Sequence, residues 1–90
     1  MSRVQLNPEA LQWRLLEGEV LAIDLANSQY LAVNPSGALL WPLLAEGATE
    51  DELTRALAEH FGLEPRRARA DVEGFLGWLD AQSLLLRDAG

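Results

Sequence analysis

The hydrophobic period changes once along this chain, from two before Asn34-Pro35 to about 3.6 after it. A run of strands should therefore precede a run of helices. In the first part, Leu11, Trp13 and Leu15 alternate with Gln12, Arg14 and Leu16, and Glu17-Gly18 supplies a turn. Val20 to Leu25 follows, with Leu21, Ile23 and Leu25 as the expected apolar face and Asp24 expected to point away. Asn27-Ser28 marks a second turn, and Gln29 to Val33 makes a third short strand. Three strands joined by two short connections predict an antiparallel meander.

Beyond Asn34 the punctuation is helical. Asn34 is a good N-cap ahead of Pro35, whose missing N–H is harmless at the first helical position. Leu39, Leu40, Leu43 and Leu44 fall at helical spacing with Trp41 beside them, and Gly47 ends the segment. Pro42 lies inside it and removes the amide bond back to Ala38, so a kink or a tightened last turn is expected. Thr49 to Glu52 reads as a capping box for a second helix, with Leu53, Ala56, Leu57 and Phe61 as its apolar stripe and Gly62 as its stop. A third helix is expected from about Pro65 to Gln82, with Ala68, Val72, Phe75, Leu76 and Leu79 facing inward. Leu84 to Leu86 should pack back on the domain. The expected fold is α+β: a three-stranded antiparallel sheet followed by three helices, the ingredients of a winged helix-turn-helix.

Ninety residues, 49% of them hydrophobic and 23% charged, suit a single globular domain spanning 1–90. With no cysteine, thiol nucleophiles, disulfides and iron–sulfur clusters are excluded. Fourteen acids oppose seven bases, all arginine, for a net charge of −7. That balance argues against a nucleic-acid partner, which needs a basic footprint. No segment has the apolar stretch of a signal peptide core or a membrane span, so a cytoplasmic protein without membrane contact is expected.

Catalytic constellations are weak. His60 is the lone histidine, which rules out a multi-histidine metal site, and a triad with Ser36 or Ser83 lacks the strained Gly-x-Ser-x-Gly elbow. Its place near the end of the second helix suits the dipole instead. Glu50, Asp51 and Glu52 serve as N-terminal helix acids, and Asp71 and Glu73 are two apart and point away from each other. No enzyme activity, metal or cofactor is expected. Arg66, Arg67 and Arg69 could suggest a DNA-reading helix, but in an acidic chain they read better as a solvated helix start.

Two features do suggest binding. Trp78 projects about 100° from the centre of the third helix's apolar face. Gly74 lies on the same flank as Trp78 and Asp71. A ring beside a glycine can form a shallow groove, or Trp78 can simply lie half-buried over the strands. The last strand, Gln29-Tyr30-Leu31-Ala32-Val33, carries no charge, proline or bulge signal, although natural sheets usually blunt their edges. Such an edge suits a peptide adding as a further strand.

Tyr30, Asn34-Pro35-Ser36-Gly37, Trp41, Leu43-Leu44, Gly47 and Thr49 resemble the signature of the PqqD-like family. Asp71-Val72, Phe75-Leu76, Leu79 and Leu84-Leu85 are similar to its third helix and tail, so the likeness spans about Leu15 to Leu86. That resemblance implies a RiPP recognition element: a winged helix-turn-helix that binds the leader of a ribosomally made precursor peptide and presents it to a leader peptidase or other modifying enzyme. It implies that the leader adds against the third strand, beside the third helix. Asp24-Leu25, Tyr30, Asn34 and Trp41 resemble the stand-alone lasso-peptide branch more closely than the PQQ branch, whose peptide chaperones serve a radical SAM enzyme. Pro42 departs from the polar residue often found after the tryptophan. The expected contacts are Gln29 to Val33, with leader anchors over Leu31 and Val33, and Asp71, Gly74, Phe75 and Trp78 on the helical wall. Arg67 is expected to meet a leader acid. The rival from another class is an acidic winged-helix transcription regulator.

Overall fold

A computed structural model describes residues 3–87. In chain order, β1 (Arg3–Leu6) precedes the strands β2 (Leu11–Leu16), β3 (Glu19–Asp24) and β4 (Gln29–Leu31). They lead into α1 (Pro35–Glu46), a two-residue β5 (Ala48–Thr49), α2 (Glu50–Phe61), α3 (Pro65–Ala81) and β6 (Leu85–Arg87).

The expected meander is present as the sheet β2-β3-β4, antiparallel throughout. Glu17 and Gly18 both take positive φ, 51° and 81°, a conformation whose twist matches that of the strands it joins. Trp13 faces Ala22 across one ladder and Ala22 faces Leu31 across the next. β4 stops at Leu31 rather than Val33.

The inward face of β3 is the opposite of the expected one. Val20, Ala22 and Asp24 are buried, whereas Leu21 is 53% and Leu25 42% exposed. Asp24 tolerates burial because its carboxylate is fully employed. Oδ1 accepts the N–H groups of Ala26 and Asn27, at 3.0 and 3.3 Å, and Oδ2 accepts Asn27 Nδ2 at 2.9 Å. A buried charge with several donors replaces its water shell and also shapes the turn into β4.

A second sheet, ordered β5-β1-β6, joins three distant parts of the chain. Val4 pairs with Ala48 on one side and with Arg87 on the other. None of its strands exceeds four residues, too short for a period to show.

Asn34 caps α1 as expected, its Oδ1 accepting the Gly37 N–H at 2.8 Å. The helix runs through Pro42 to Glu46, burying Leu40, Trp41 and Leu44. Thr49 and Glu52 form the reciprocal capping box of α2. Leu53 and Leu57 turn inward, but Phe61 is 40% exposed at the helix end, where the left-handed Gly62 has already diverted the chain. Three residues separate α2 from α3, the spacing of a helix-turn-helix. α3 buries Ala68, Val72, Leu76 and Leu79, and Leu84 follows them into the core. Each large apolar side chain removed from water contributes about 1.5–3 kcal/mol before ordering costs, so the core over Trp41 holds both sheets to the helices. The architecture is α+β and compatible with a winged helix.

Candidate functional site

Two small residues on α3, Ala70 and Gly74, lie one turn apart and lower the helix wall where it passes the start of α1. A cleft of about 490 Å³ opens there. Asp71, Phe75 and Trp78 stand on the α3 side, and Ala32, Asn34, Ser36 and Gly37 face them from the segment that enters α1. Leu40 and Leu57 form an apolar floor.

Asp71, Gly74, Phe75 and Trp78 stand at i, i+3, i+4 and i+7, which is one face of a helix. The rings of Phe75 and Trp78 stack at 5.9 Å with 26° between their planes, and Trp78 remains 37% exposed. Behind them Phe75 meets the buried Trp41 at 6.3 Å, and Trp41 meets Trp13 edge-on at 6.3 Å. A continuous aromatic row therefore supports the cleft from within the core.

The expected contacts fall into three groups. Ala32, Asp71, Gly74, Phe75 and Trp78 converge on the cleft. Gln29, Tyr30 and Leu31 form β4, whose outer edge pairs with no strand among the described residues. Leu31 points into the core at 8% exposure, so it can offer an incoming peptide only its backbone. Tyr30 is 85% exposed and lies on the other face, in a shallow depression shared with Arg14, Leu21 and Ile23. Val33 is half-buried against the core. Arg67 is exposed and stands outside the cleft lining.

Among the lining residues Asp71 is the one ionisable group. Arg69 turns away from the cleft to tie α3 to α2, bonding Asp51 at 2.7 Å and approaching Glu50 at 3.9 Å. The Arg69 guanidinium beside it holds the Asp51 carboxyl below its usual range, and Asp51 in turn raises the guanidinium. His60 packs edge-on against Phe61 at 4.8 Å. No cluster of three or more metal-ligating side chains occurs among the described residues, and no helix there is long and apolar enough to cross a membrane.

Residues 4–85 match the family described as Coenzyme PQQ synthesis protein D (PqqD). The chain belongs to the PqqD family. A solved structure described as TbiB1 in complex with the TbiA(beta) leader peptide is similar to this PqqD-family chain, with a TM-score of 0.81. The two are 23% identical, over 90% of this chain and 93% of that one, so what they share is the fold. No curated protein matches the sequence.

Sequence reasoning did not assign Ser36, Leu40, Leu57 or Ala70 to the site, and it valued Asn34 as a helix cap and Gly37 only as part of the family signature. The four-residue spacing of Ala70 and Gly74 was the signal for a notch in this PqqD-family helix. The glycine in the first turn of α1 was the signal for a close neighbour.

Proposed function

We propose that this PqqD-family chain is a non-catalytic adaptor that binds the leader of a ribosomally made precursor peptide by adding it as a strand to β4. The observation that carries this reading is the uncharged edge of β4, paired with no strand among the described residues, beside the apolar cleft between α1 and α3. Main-chain hydrogen bonds along the edge supply affinity without regard to sequence, and alternate side chains entering the cleft supply selectivity. The structural relative, described as bound to a leader peptide, supports the same use of the fold.

In this reading the chain acts as a single domain in the cytoplasm, needs no cofactor, and presents the bound leader to a leader peptidase or another modifying enzyme. A lasso-type precursor is proposed on the pattern of Asp24-Leu25, Tyr30, Asn34 and Trp41. Burial of a few anchors, offset by the ordering of a free peptide, gives affinity between micromolar and nanomolar.

The test is fluorescence anisotropy with a labelled lasso-type leader, run beside a labelled DNA duplex at physiological salt. Saturable leader binding, lost when an apolar anchor becomes alanine, supports the adaptor. Salt-sensitive DNA binding with no leader binding makes the helix-turn-helix a transcription regulator instead. A leader that binds and is then carried to a radical SAM enzyme rather than a peptidase places the chain in the PQQ branch.

A further inference from the structure

The cleft carries an asymmetry that the fold does not require. Its floor and most of its α3 wall are apolar, yet the carboxylate of Asp71 stands on that wall, exposed and without an ion-pair partner within 4.0 Å among the described residues. None of the seven arginines lines the cleft. Arg3, Arg69 and Arg87 are engaged elsewhere, by Glu52, Asp51 and Asp80, and Arg67, one turn before Asp71 on α3, makes no ion pair with it within 4.0 Å. The opposite wall supplies no charged side chain, only the partial positive charge at the start of α1. Pro35 has no N–H, the Gly37 N–H is already taken by Asn34 Oδ1, and the first turn of α1 carries no charged side chain.

Asp71 stands one turn from Phe75 on the same face of α3, about 5–6 Å between Cβ atoms, and Trp78 follows on that face. An aliphatic stem ending in a cation fits this row. Its methylenes would lie across the stacked rings, and its head would meet the carboxylate at one end, with the ring faces adding a cation–π attraction.

We infer that the peptide taken by the α1–α3 cleft presents a lysine or arginine side chain to Asp71, laid along Phe75 and Trp78, and that this basic residue sets the register of the bound strand. This rests on the adaptor reading above, and it adds a sequence requirement to it. Because strand addition is indifferent to side chains, a peptide could slide along the β4 edge by two residues without losing its pattern of alternation. A single charge pair at one end of the cleft removes that freedom. The net charge of −7 acts in the same direction at longer range.

The experiment is selection from a displayed library of random twelve-residue peptides, using the intact chain and its Asp71→Asn and Asp71→Arg variants as baits. Peptides enriched by the wild type should share a lysine or arginine at one position among alternating apolar residues. Asp71→Asn should lose that preference while keeping the apolar pattern, and Asp71→Arg should replace it with Asp or Glu. For one selected peptide, changing its basic residue to glutamine should weaken wild-type binding about fivefold and leave Asp71→Asn nearly unaffected, the coupling expected of a partly exposed charge pair. Enrichment of apolar peptides with no basic position, or with a basic position that survives in Asp71→Asn, overturns the inference and leaves the adaptor reading standing. Enrichment of tyrosine or glutamine at that position overturns it too, since a neutral donor would then satisfy Asp71. Failure of any peptide to enrich overturns both.

Discussion

Phe75 and Gly37 meet with no room between them. A methyl group on Gly37 would lie 2.8 Å from Phe75 Cε1 and 3.0 Å from its Cζ, with Val33 Cγ1 at 2.9 Å on the other side. The ring cannot retreat freely, because Trp41 and Trp78 flank it. Helix α3 is therefore seated against the first turn of α1 through a missing side chain, and that seating sets the width of the cleft.

Gly37→Ala should destabilise the protein by about 1–3 kcal/mol, although alanine is the better helix former. The check is urea denaturation of Gly37→Ala, Phe75→Leu and the double variant. A coupling energy near zero between the two positions would show that the ring is not what excludes the methyl group.

Asn34→Ala removes the side-chain acceptor of the Gly37 N–H and should cost about 1 kcal/mol. Asn34→Asp keeps the acceptor and adds a favourable charge at the positive end of α1, so it should be neutral or slightly stabilising near pH 7. Denaturation midpoints of the two variants decide the matter. Equal losses would mean that the cap contributes through packing rather than through this bond.

Asp24 predicts a pH dependence with a defined sign. The Asn27 side-chain amide holds its carboxyl below the ordinary value of 3.8, aided by the N–H groups of Asn27 and Ala26 and opposed by burial. Since the folded state favours the ionised form, the stability it adds is present above the unfolded-state pKa and is lost as pH falls through the lower folded value. Asp24→Asn should lower the melting temperature at neutral pH and make the decline below about pH 4 shallower than in the wild type. Parallel melting curves against pH for both proteins would assign the acid limb to other groups, such as Glu52, whose carboxyl is lowered chiefly by its bonds to Thr49.

Trp78→Ala should weaken leader binding about tenfold or more and cost the fold far less than a core truncation, because the ring is 37% exposed and stacks on one neighbour. Anisotropy and thermal melting, measured on the same preparation, separate the two effects. Unchanged affinity would move the binding surface off this wall, with the face around Tyr30 the next to test.

Much of the fold was legible because its signals are local. Asn34 before Pro35, Thr49 before Glu52 and Gly62 after Phe61 are choices a chain makes within four residues, and each appears where it was read. On α3 the flank bearing Asp71, Gly74 and Trp78 was legible too, since helical spacing alone places them on one side. Two further expected contacts are placed differently: Leu31 turns its side chain into the core and leaves its backbone on the β4 edge, and Arg67 lies outside the cleft lining. How far Arg67 stands from an incoming strand depends on how α3 is tilted over the sheet, which no spacing encodes.

By itself, then, the sequence determined the change of period, the helix ends, the meander turns and the uncharged edge of the last strand. These follow from φ preferences, capping bonds and side-chain alternation within a few neighbours. Tertiary structure alone decided three other things. It paired Val4 with Ala48 and Arg87, residues too distant and strands too short to announce one another. It turned Val20, Ala22 and Asp24 inward, because a strand apolar on both faces takes its orientation from what packs on it, here the sheet's seat over Trp41. And it pressed Phe75 onto Gly37, so that two residues 38 positions apart (75 minus 37) together open the cleft.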